Sequence, residues 1–465
     1  MAKFFIDQHG CAKNQTDGEL IAGFLQKSGL EYTDKAQDAD FIIINSCGFI
    51  ESAKKESINA VYSIRAMYPK AKIILAGCLA QRYAQELLES MPELDGIFGN
   101  GDLSKIADYI KNCGRQKSAP QTSFEQKGIC EGNRPLIFNY KASAYVKITE
   151  GCSNNCSFCA IPLIRGKVRS RTVSSIINEI QELIQNGVYE INLIGQDLAA
   201  FTAPEADTNG LEYLLCKISQ LKGSFIVRTL YIHPDHVNTD MLALYKKDKR
   251  LLPYFDIPFQ SGDDQIIRAM NRVGPAKKYV ELIKKIREQL PQAVIRTTFL
   301  TGFPGETETA FENTKKFLKT IKPVWSGCFA YSREEGTPAW SYKPRIPAKI
   351  ARQRAQVLEE IQSELTTAHL KTYVSKEFDV LIEEVIASEE EGLAIGRAWF
   401  EAPDVDGCAV VRYEKDDKKE CDAIKEGNVV RVVCLACTGI DLDCRFKSLV
   451  KRFDESARLS FVSEK

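Results

Sequence analysis

Six short apolar runs recur between residues 141 and 331: "AYVKIT", "EINLIG", "RTLYIH", "YFDIPF", "VIRTTFL" and "SGCFAY". Segments of helical period separate them, such as "VSSIINEIQELIQNG" and "AKKYVELIKKIREQL". Continuous β-branched runs of this length suit parallel strands buried on both faces. Parallel neighbours need a crossover, and each helical segment supplies one. Six βα units in about 190 residues therefore predict a barrel, full or partial.

The first hundred residues carry the same rhythm on a smaller scale. "KFFID", "DFIIINSC" and "KIILAGC" read as buried parallel strands, and "ESAKKESINAVYSIRAMY" as a helix between them. Thr16 and Glu19 stand at capping-box spacing, which predicts a helix start there. A small doubly wound sheet follows. Residues 114 to 140 lose all periodicity and read as a linker. A long helix over roughly 347 to 371 leads into "EFDVLIEEV", "LAIGRAWF", "CAVVRYE" and "NVVRVVCLA", the strands of a small antiparallel barrel. At 465 residues the chain exceeds one ordinary core. The expected division is 1–115, a linker 116–140, 141–371 with its trailing helix, 372–447, and a tail 448–465.

The N-terminus has no apolar leader, and no run approaches the length of a spanning helix. A cytoplasmic, reducing setting is expected, with no membrane partner. In that setting fifteen cysteines argue for metal or catalysis over disulfides. Formal net charge is zero, but residues 377–445 hold 18 acidic against 8 basic residues. Either these are solvated faces, or the C-terminal module attracts a basic partner.

Cys152, Cys156 and Cys159 ("TEGCSNNCSFCAIP") directly follow the first barrel strand, at the carboxyl end where barrel active sites are built. A structural zinc site wants four ligands, and three thiols without histidine fall short. Three thiolates on an iron–sulfur cluster would leave one iron open. Cys11, Cys47 and Cys78 each follow a predicted N-terminal strand, so one sheet edge can bring them together. The alternative for these three is ordinary burial. Cys434, Cys437 and Cys444 sit in strand-like sequence and read as core. His233 and His236 ("HPDH") are separated by Pro234 and read as a turn.

"GCSNNCSFCAIP" resembles the cluster loop of radical S-adenosylmethionine (SAM) enzymes. That resemblance implies a 4Fe–4S cluster on Cys152, Cys156 and Cys159 whose open iron chelates SAM. With Cys11, Cys47 and Cys78 upstream and a small β-barrel downstream, the whole chain is similar to the methylthiotransferases. The fold so implied is α/β: a flavodoxin-like N-terminal domain, a partial (β/α)6 radical SAM barrel, and a TRAM-like antiparallel β-barrel. The cofactors implied are two 4Fe–4S clusters and SAM, with the second cluster on Cys11, Cys47 and Cys78 supplying or carrying sulfur. The resemblance further implies that one SAM methylates that sulfur, and that a second yields the 5′-deoxyadenosyl radical that removes hydrogen from the substrate carbon. "TGFPGE" resembles a SAM-contacting segment, which makes Gly302, Gly305 and Glu306 candidates for cofactor binding. Gln196, Gln260 and Arg228 stand at strand ends facing the same mouth. Arg165, in "RGKVRSR", is either an anion-binding fork or part of a solvated charge run.

"CGFIESAKKESI", "GCLAQRYAQEL", "CAIPLIRGKVRSR", "FAYSREEGTPAW" and "APDVDG" are similar to the RimO-type branch of that family. This branch thiomethylates the β-carbon of an aspartate in small-subunit ribosomal protein S-twelve, free or in the ribosome. Ala12 in "CAKN", where that branch usually has proline, and "FQSGDD", without the histidine expected after the glutamine, depart from it, and "EINLIGQ" reads more like the branch that modifies a tRNA adenosine. An acidic C-terminal barrel suits a basic ribosomal protein better than a phosphate backbone. An electron donor such as flavodoxin or ferredoxin is also implied. The competing class is a non-enzymatic iron–sulfur electron carrier or zinc-bearing interaction protein, and electron carriers complete four cysteines per cluster.

Overall fold

The computed structural model describes residues 1–113, 119–122, 129–206, 209–387, 391–454, 456 and 458–462. Glu389 and Glu390, and parts of the expected linker, lie outside the described residues. None of the described helices is long and apolar enough to cross a membrane.

The N-terminal part runs β1 (Lys3–Gln8), α1 (Ala12–Lys27), β2 (Glu31–Tyr32), β3 (Phe41–Ser46), α2 (Glu51–Met67), β4 (Lys72–Ala76), α3 (Gly77–Arg82) and β5 (Gly96–Phe98). All strand pairs are parallel, in the order β2-β1-β3-β4-β5. Ile42, Ile43, Ile44, Ile73, Ile74 and Leu75 are fully enclosed, as helices on both faces require. The strand order reverses between β1 and β3, and in such sheets that switch point is where ligands bind. One local expectation is corrected. Helix α1 starts at Ala12 with Cys11 as its N-cap, a turn before Thr16. The Thr16 hydroxyl donates back to the Ala12 carbonyl, and Glu19 pairs with Arg134 instead of capping.

The middle part contains β6 (Leu136–Ile137), β7 (Ser143–Lys147), β8 (Thr149–Glu150), β9 (Arg169–Ser170), β10 (Glu190–Ile194), β11 (Ile226–Thr229), β12 (Leu251–Asp256), β13 (Val294–Thr301) and β14 (Trp325–Ala330). Six of these form a parallel sheet in the order β14-β13-β12-β11-β10-β7. It is a partial barrel, open between β14 and β7. Beside its β14 edge, helix Ala348–Leu370 is pinned by Gln362 and Thr366, which donate to the carbonyl of Val324 at 3.0 and 2.6 Å.

The C-terminal part is a closed barrel of β15 (Glu377–Ile386), β16 (Gly392–Ala398), β17 (Ala409–Tyr413), β18 (Val429–Thr438) and β19 (Asp441–Lys451). The β17–β19 pair is parallel and the other pairs are antiparallel. Strand β19 was not among the apolar runs, because charges outside Leu442 and Cys444 dilute its alternation. Cys434 and Cys444 are paired across β18 and β19 and buried, as core cysteines should be. Residues beyond this barrel are not a free tail: β20 (Ser460–Phe461) pairs with β6.

The loop between β16 and β17 enters the amino end of the large barrel. Tyr145 donates to Asp404 at 3.0 Å, Tyr254 to Asp406 at 2.5 Å, and the Trp325 indole to the Phe400 carbonyl at 2.7 Å. Arg228 and Arg397 flank Glu190 at 2.9 and 2.7 Å, one arginine from each barrel. Although burial works the other way, these two guanidinium groups hold Glu190 well below the usual carboxylate range. Arg228, expected at the barrel mouth, is therefore at the opposite end. Asp406, Glu383 and Glu401 are buried, so part of the acidic excess of residues 377–445 is internal and not a surface field. Replacing Asp406 by Ala orphans the Tyr254 hydroxyl and the Ala402 amide. It should cost about 2–4 kcal/mol in urea unfolding. The exposed Glu391→Gln should stay within about 0.5 kcal/mol.

Candidate active site

The barrel triad sits on a loop that the β8–β9 hairpin closes at its base. Gly151 opens it at φ +75°, where a Cβ would meet the Lys167 and Gly166 carbonyls at 2.3 and 2.6 Å, so only glycine fits. The loop is clamped from several sides. The Cys152 amide donates to the Gly166 carbonyl at 3.0 Å, the Ser157 amide to Met270 at 3.1 Å, and Asn154 to Asp197 at 2.9 Å. Cys152, Cys156 and Cys159 are all half-buried. Burial, with the other thiols of the triad close by, pushes Cys152 up to about 11 and Cys159 up to about 12. Three thiols on one clamped loop form a soft donor set, which suits an iron–sulfur cluster.

The N-terminal triad converges as the sheet edge requires. Cys11 caps α1, Cys47 follows β3, and Cys78 lies in the first turn of α3. A Cβ on Gly10 would stand 3.0 Å from the Cys47 Cβ, which puts the Cys11 turn against Cys47. Burial and the Cys78 thiol raise Cys47 to about 12. Cys11 differs: the protein packed around its turn raises it, but Lys13 and Arg165 outweigh that and hold it below the usual thiol value. Cys11 is also the open member of the set, exposed where Cys78 is enclosed.

Arg165 proves to serve this triad and not a free anion. It is 3% exposed, and it lies 2.9 Å from Asp17, 2.7 Å from Glu150, 2.7 Å from Asn14 Oδ1 and 3.2 Å from Cys78 Sγ. Lys147 completes the cluster by pairing with Asp17 and Glu150. Two charges of each sign thus join α1 to the barrel mouth. Glu306 is likewise occupied within the protein. It accepts from the Gly302 amide at 2.9 Å and pairs with Arg354 at 2.6 Å, closing its own loop. Gly302 and Gly305 take φ +73° and +85°. Gln260 sits at φ +70°, its backbone bridging to β13. Gln196 donates toward Glu150 at 3.4 Å, and its Oε1 is buried without a partner among the described residues.

The "HPDH" stretch is a turn, yet Pro234 does not part its histidines. The rings lie 4.9 Å apart, and His236 bonds Asp197 at 2.8 Å while His233 Nε2 approaches Cys156 Sγ at 3.9 Å. Asp197, His233 and His236 form a compact group that ties the cysteine loop to β10 and β11. Sequence spacing concealed it, because Asp197 comes from another strand end. Asn14 and Asp17 were also missed, although both stand in the "CAKNQTD" run after Cys11.

Between Cys11 and the β16–β17 loop lies a chamber of about 480 Å³. Cys11, Ala12 and Gln15 contribute from above, Tyr231, Asp256 and Arg296 from the barrel, and Pro403, Asp404 and Val405 from below. All three parts of the chain wall one space.

Residues 3–99 match the family described as uncharacterized protein family UPF0004, residues 146–318 the Radical SAM superfamily, and residues 374–446 the TRAM domain. Among solved structures, the radical S-adenosylmethionine methyltransferase TsrM from Kitasatospora setae superposes with TM-score 0.54 at 11% identity, over 73% of this chain and 74% of that one. That likeness concerns the fold alone. The fold and the two cysteine triads define a radical SAM enzyme. The ribosomal protein uS12 methylthiotransferase RimO of Treponema denticola is 49% identical over 94% of this chain and 99% of its own length. RimO of Thermoanaerobacter sp. is 39% identical over 90% and 94%, and that of Thermotoga maritima 36% over 87% and 92%. The chain belongs to the RimO methylthiotransferase family. It is a transferase whose cofactors are 4Fe–4S clusters and SAM.

If Arg165 holds the two upper parts together, Arg165→Met should leave Asp17 and Glu150 with Lys147 alone. The expected loss is about 3–5 kcal/mol, the cost of breaking a buried pair, read as a lower urea midpoint for the first unfolding transition.

Proposed function

We propose that this chain adds a methylthio group to the β-carbon of an aspartate in ribosomal protein uS12, with one 4Fe–4S cluster on Cys152, Cys156 and Cys159 and a second on Cys11, Cys47 and Cys78. The observation that carries the reading is the chamber into which Cys11 opens, walled by all three parts of the chain. The RimO relatives, named as uS12 methylthiotransferases, agree with it. When bound, the cofactors supply the sulfur, the methyl group and the hydrogen-abstracting radical, because such a C–H bond is beyond any general base.

The chain's own residues bind, orient and enclose. Six cysteines provide three thiolates per cluster. Arg165 and Asn100 donate to the Cys78 sulfur, and Asn14 holds the Cys47 turn by donating to the Ser46 carbonyl at 2.8 Å. Gln196, with its unpaired buried oxygen, and the Gly302–Gly305 turn form the side on which SAM is held. Gln260 supports that side through its backbone, while Glu306 and Arg165 act through protein groups. The Trp399–Cys408 loop seals the chamber from below, which excludes water from a reactive intermediate. A flavodoxin- or ferredoxin-type donor supplies electrons, and a reducing cytoplasm keeps the cysteines out of disulfides.

The test is mass spectrometry of uS12 and of tRNA after anaerobic incubation with reconstituted enzyme, SAM and a reductant. Methylthio-aspartate in uS12 supports the reading, and a methylthiolated tRNA adenosine with unmodified uS12 replaces it. Changing Cys152, Cys156 and Cys159 together to Ala should leave about four irons per chain and abolish SAM cleavage. The Cys11, Cys47 and Cys78 triple Ala variant should still cleave SAM but make no methylthio product. Loss of all iron from a folded triple variant would show that the triads are not independent.

A further inference from the structure

Among the described residues eight lysines and arginines are buried. Arg134, Lys147, Arg165, Arg228, Arg354 and Arg397 each reach a carboxylate, and Arg272 donates to the carbonyls of Pro258 and Phe259. Lys13 does neither. It is 7% exposed, and its ammonium lies over the Tyr231 ring, 2.8 Å from the centroid, with no ion-pair or hydrogen-bond partner among the described residues. An aromatic face offsets only part of the cost of stripping water from an ammonium. The anionic groups whose field reaches Lys13 are the Cys11 thiolate, Asp256 and Glu150. Each is committed elsewhere: Cys11 is assigned to the N-terminal cluster, Asp256 faces Arg296 at 3.5 Å and accepts from the Tyr231 amide at 3.1 Å, and Glu150 holds Lys147 and Arg165. A buried cation with no ion-pair partner among the described residues marks the place of an anion brought from outside.

Its position says which anion. Lys13 shares a helical turn with Cys11 and Ala12, and it rests on Tyr231; all three of those residues wall the chamber. We propose that Lys13 is the specificity-determining residue for the substrate, its ammonium binding the side-chain carboxylate of the aspartate that is modified. The inference rests on the reading of uS12 as substrate. In an aspartate the reacting β-carbon is bonded directly to the carboxyl carbon. A carboxylate held at Lys13 therefore fixes that β-carbon beside Cys11, the open thiol of the N-terminal triad. A neutral amide in its place would leave the ammonium unpaired, which is how a buried charge rejects an isostere.

The experiment titrates anaerobically reconstituted holoenzyme with a fluorescent uS12 peptide centred on the modified position, carrying either Asp or Asn there. Iron content and SAM binding are measured on the same preparations. The wild type should prefer the Asp peptide by about thirtyfold or more. Lys13→Met should bind both peptides equally and weakly, keep full iron and SAM affinity, and unfold no more easily than the wild type, since it removes an unpaired buried charge. Lys13→Arg should retain a preference for Asp, which keeps the test decisive if the Met variant folds poorly. A Lys13→Met enzyme that still prefers Asp overturns the proposal. So does one that loses iron or SAM, for then the ammonium serves a cofactor. A wild type that binds neither peptide removes the uS12 reading itself, and the proposal with it.

Discussion

The cluster of Asp17, Lys147, Glu150 and Arg165 is the constraint on which the site depends. These four side chains come from α1, β7, the β8 hairpin and the end of the cysteine loop, and all are nearly out of water. Any one of them alone would be costly to bury, and the set is tolerable because each charge meets two of the opposite sign. The same guanidinium that closes the cluster touches the Cys78 sulfur. Docking the sheet on the barrel and presenting the N-terminal triad to the barrel mouth are therefore one event. If the sheet shifted by one helical turn, the ion pairs and the triad would be lost together.

A second junction works at the other end. The Trp399–Cys408 loop exchanges hydrogen bonds with Tyr145, Tyr254, Trp325 and Arg228, and Phe400 joins an apolar cluster that runs from the large barrel into the small one. The small barrel is thus a floor as well as a module. Its acidic composition looked like a field for attracting a basic partner. The structure assigns some of that charge to interior pairs, Glu383 with Arg397 and Asp406 with Arg296. Counting charges along a chain cannot separate those two uses, because it carries no depth.

The fold was legible where periodicity is strong. The six βα units, the doubly wound N-terminal sheet and the long helix near 347–371 follow from apolar runs that only buried parallel strands and their crossovers explain. Strand β19 escaped because its charged residues mask the alternation, and the start of α1 was displaced because a capping-box spacing at Thr16 and Glu19 arose by chance inside the helix. The cysteines were legible as two sets of three, since chemistry at that spacing is specific and strand ends share an edge.

What the sequence determined by itself is local: which segments are strands and helices, and which thiols stand at their ends. What the tertiary structure decided is partnership. Arg165 belongs to Cys78 and Asp17, Glu306 to Arg354, and Arg228 to Glu190 at the far end of the barrel, although all three had looked like candidates for the mouth. Asp197 joins His233 and His236 across two strands. Lys13, ordinary in sequence, becomes a buried cation with no ion-pair partner among the described residues. The physical reason is that pairing energies act over a few ångströms of space, while sequence separations such as 36 and 87 residues stand between the partners. Only the packing of the elements brings these partners within hydrogen-bonding distance.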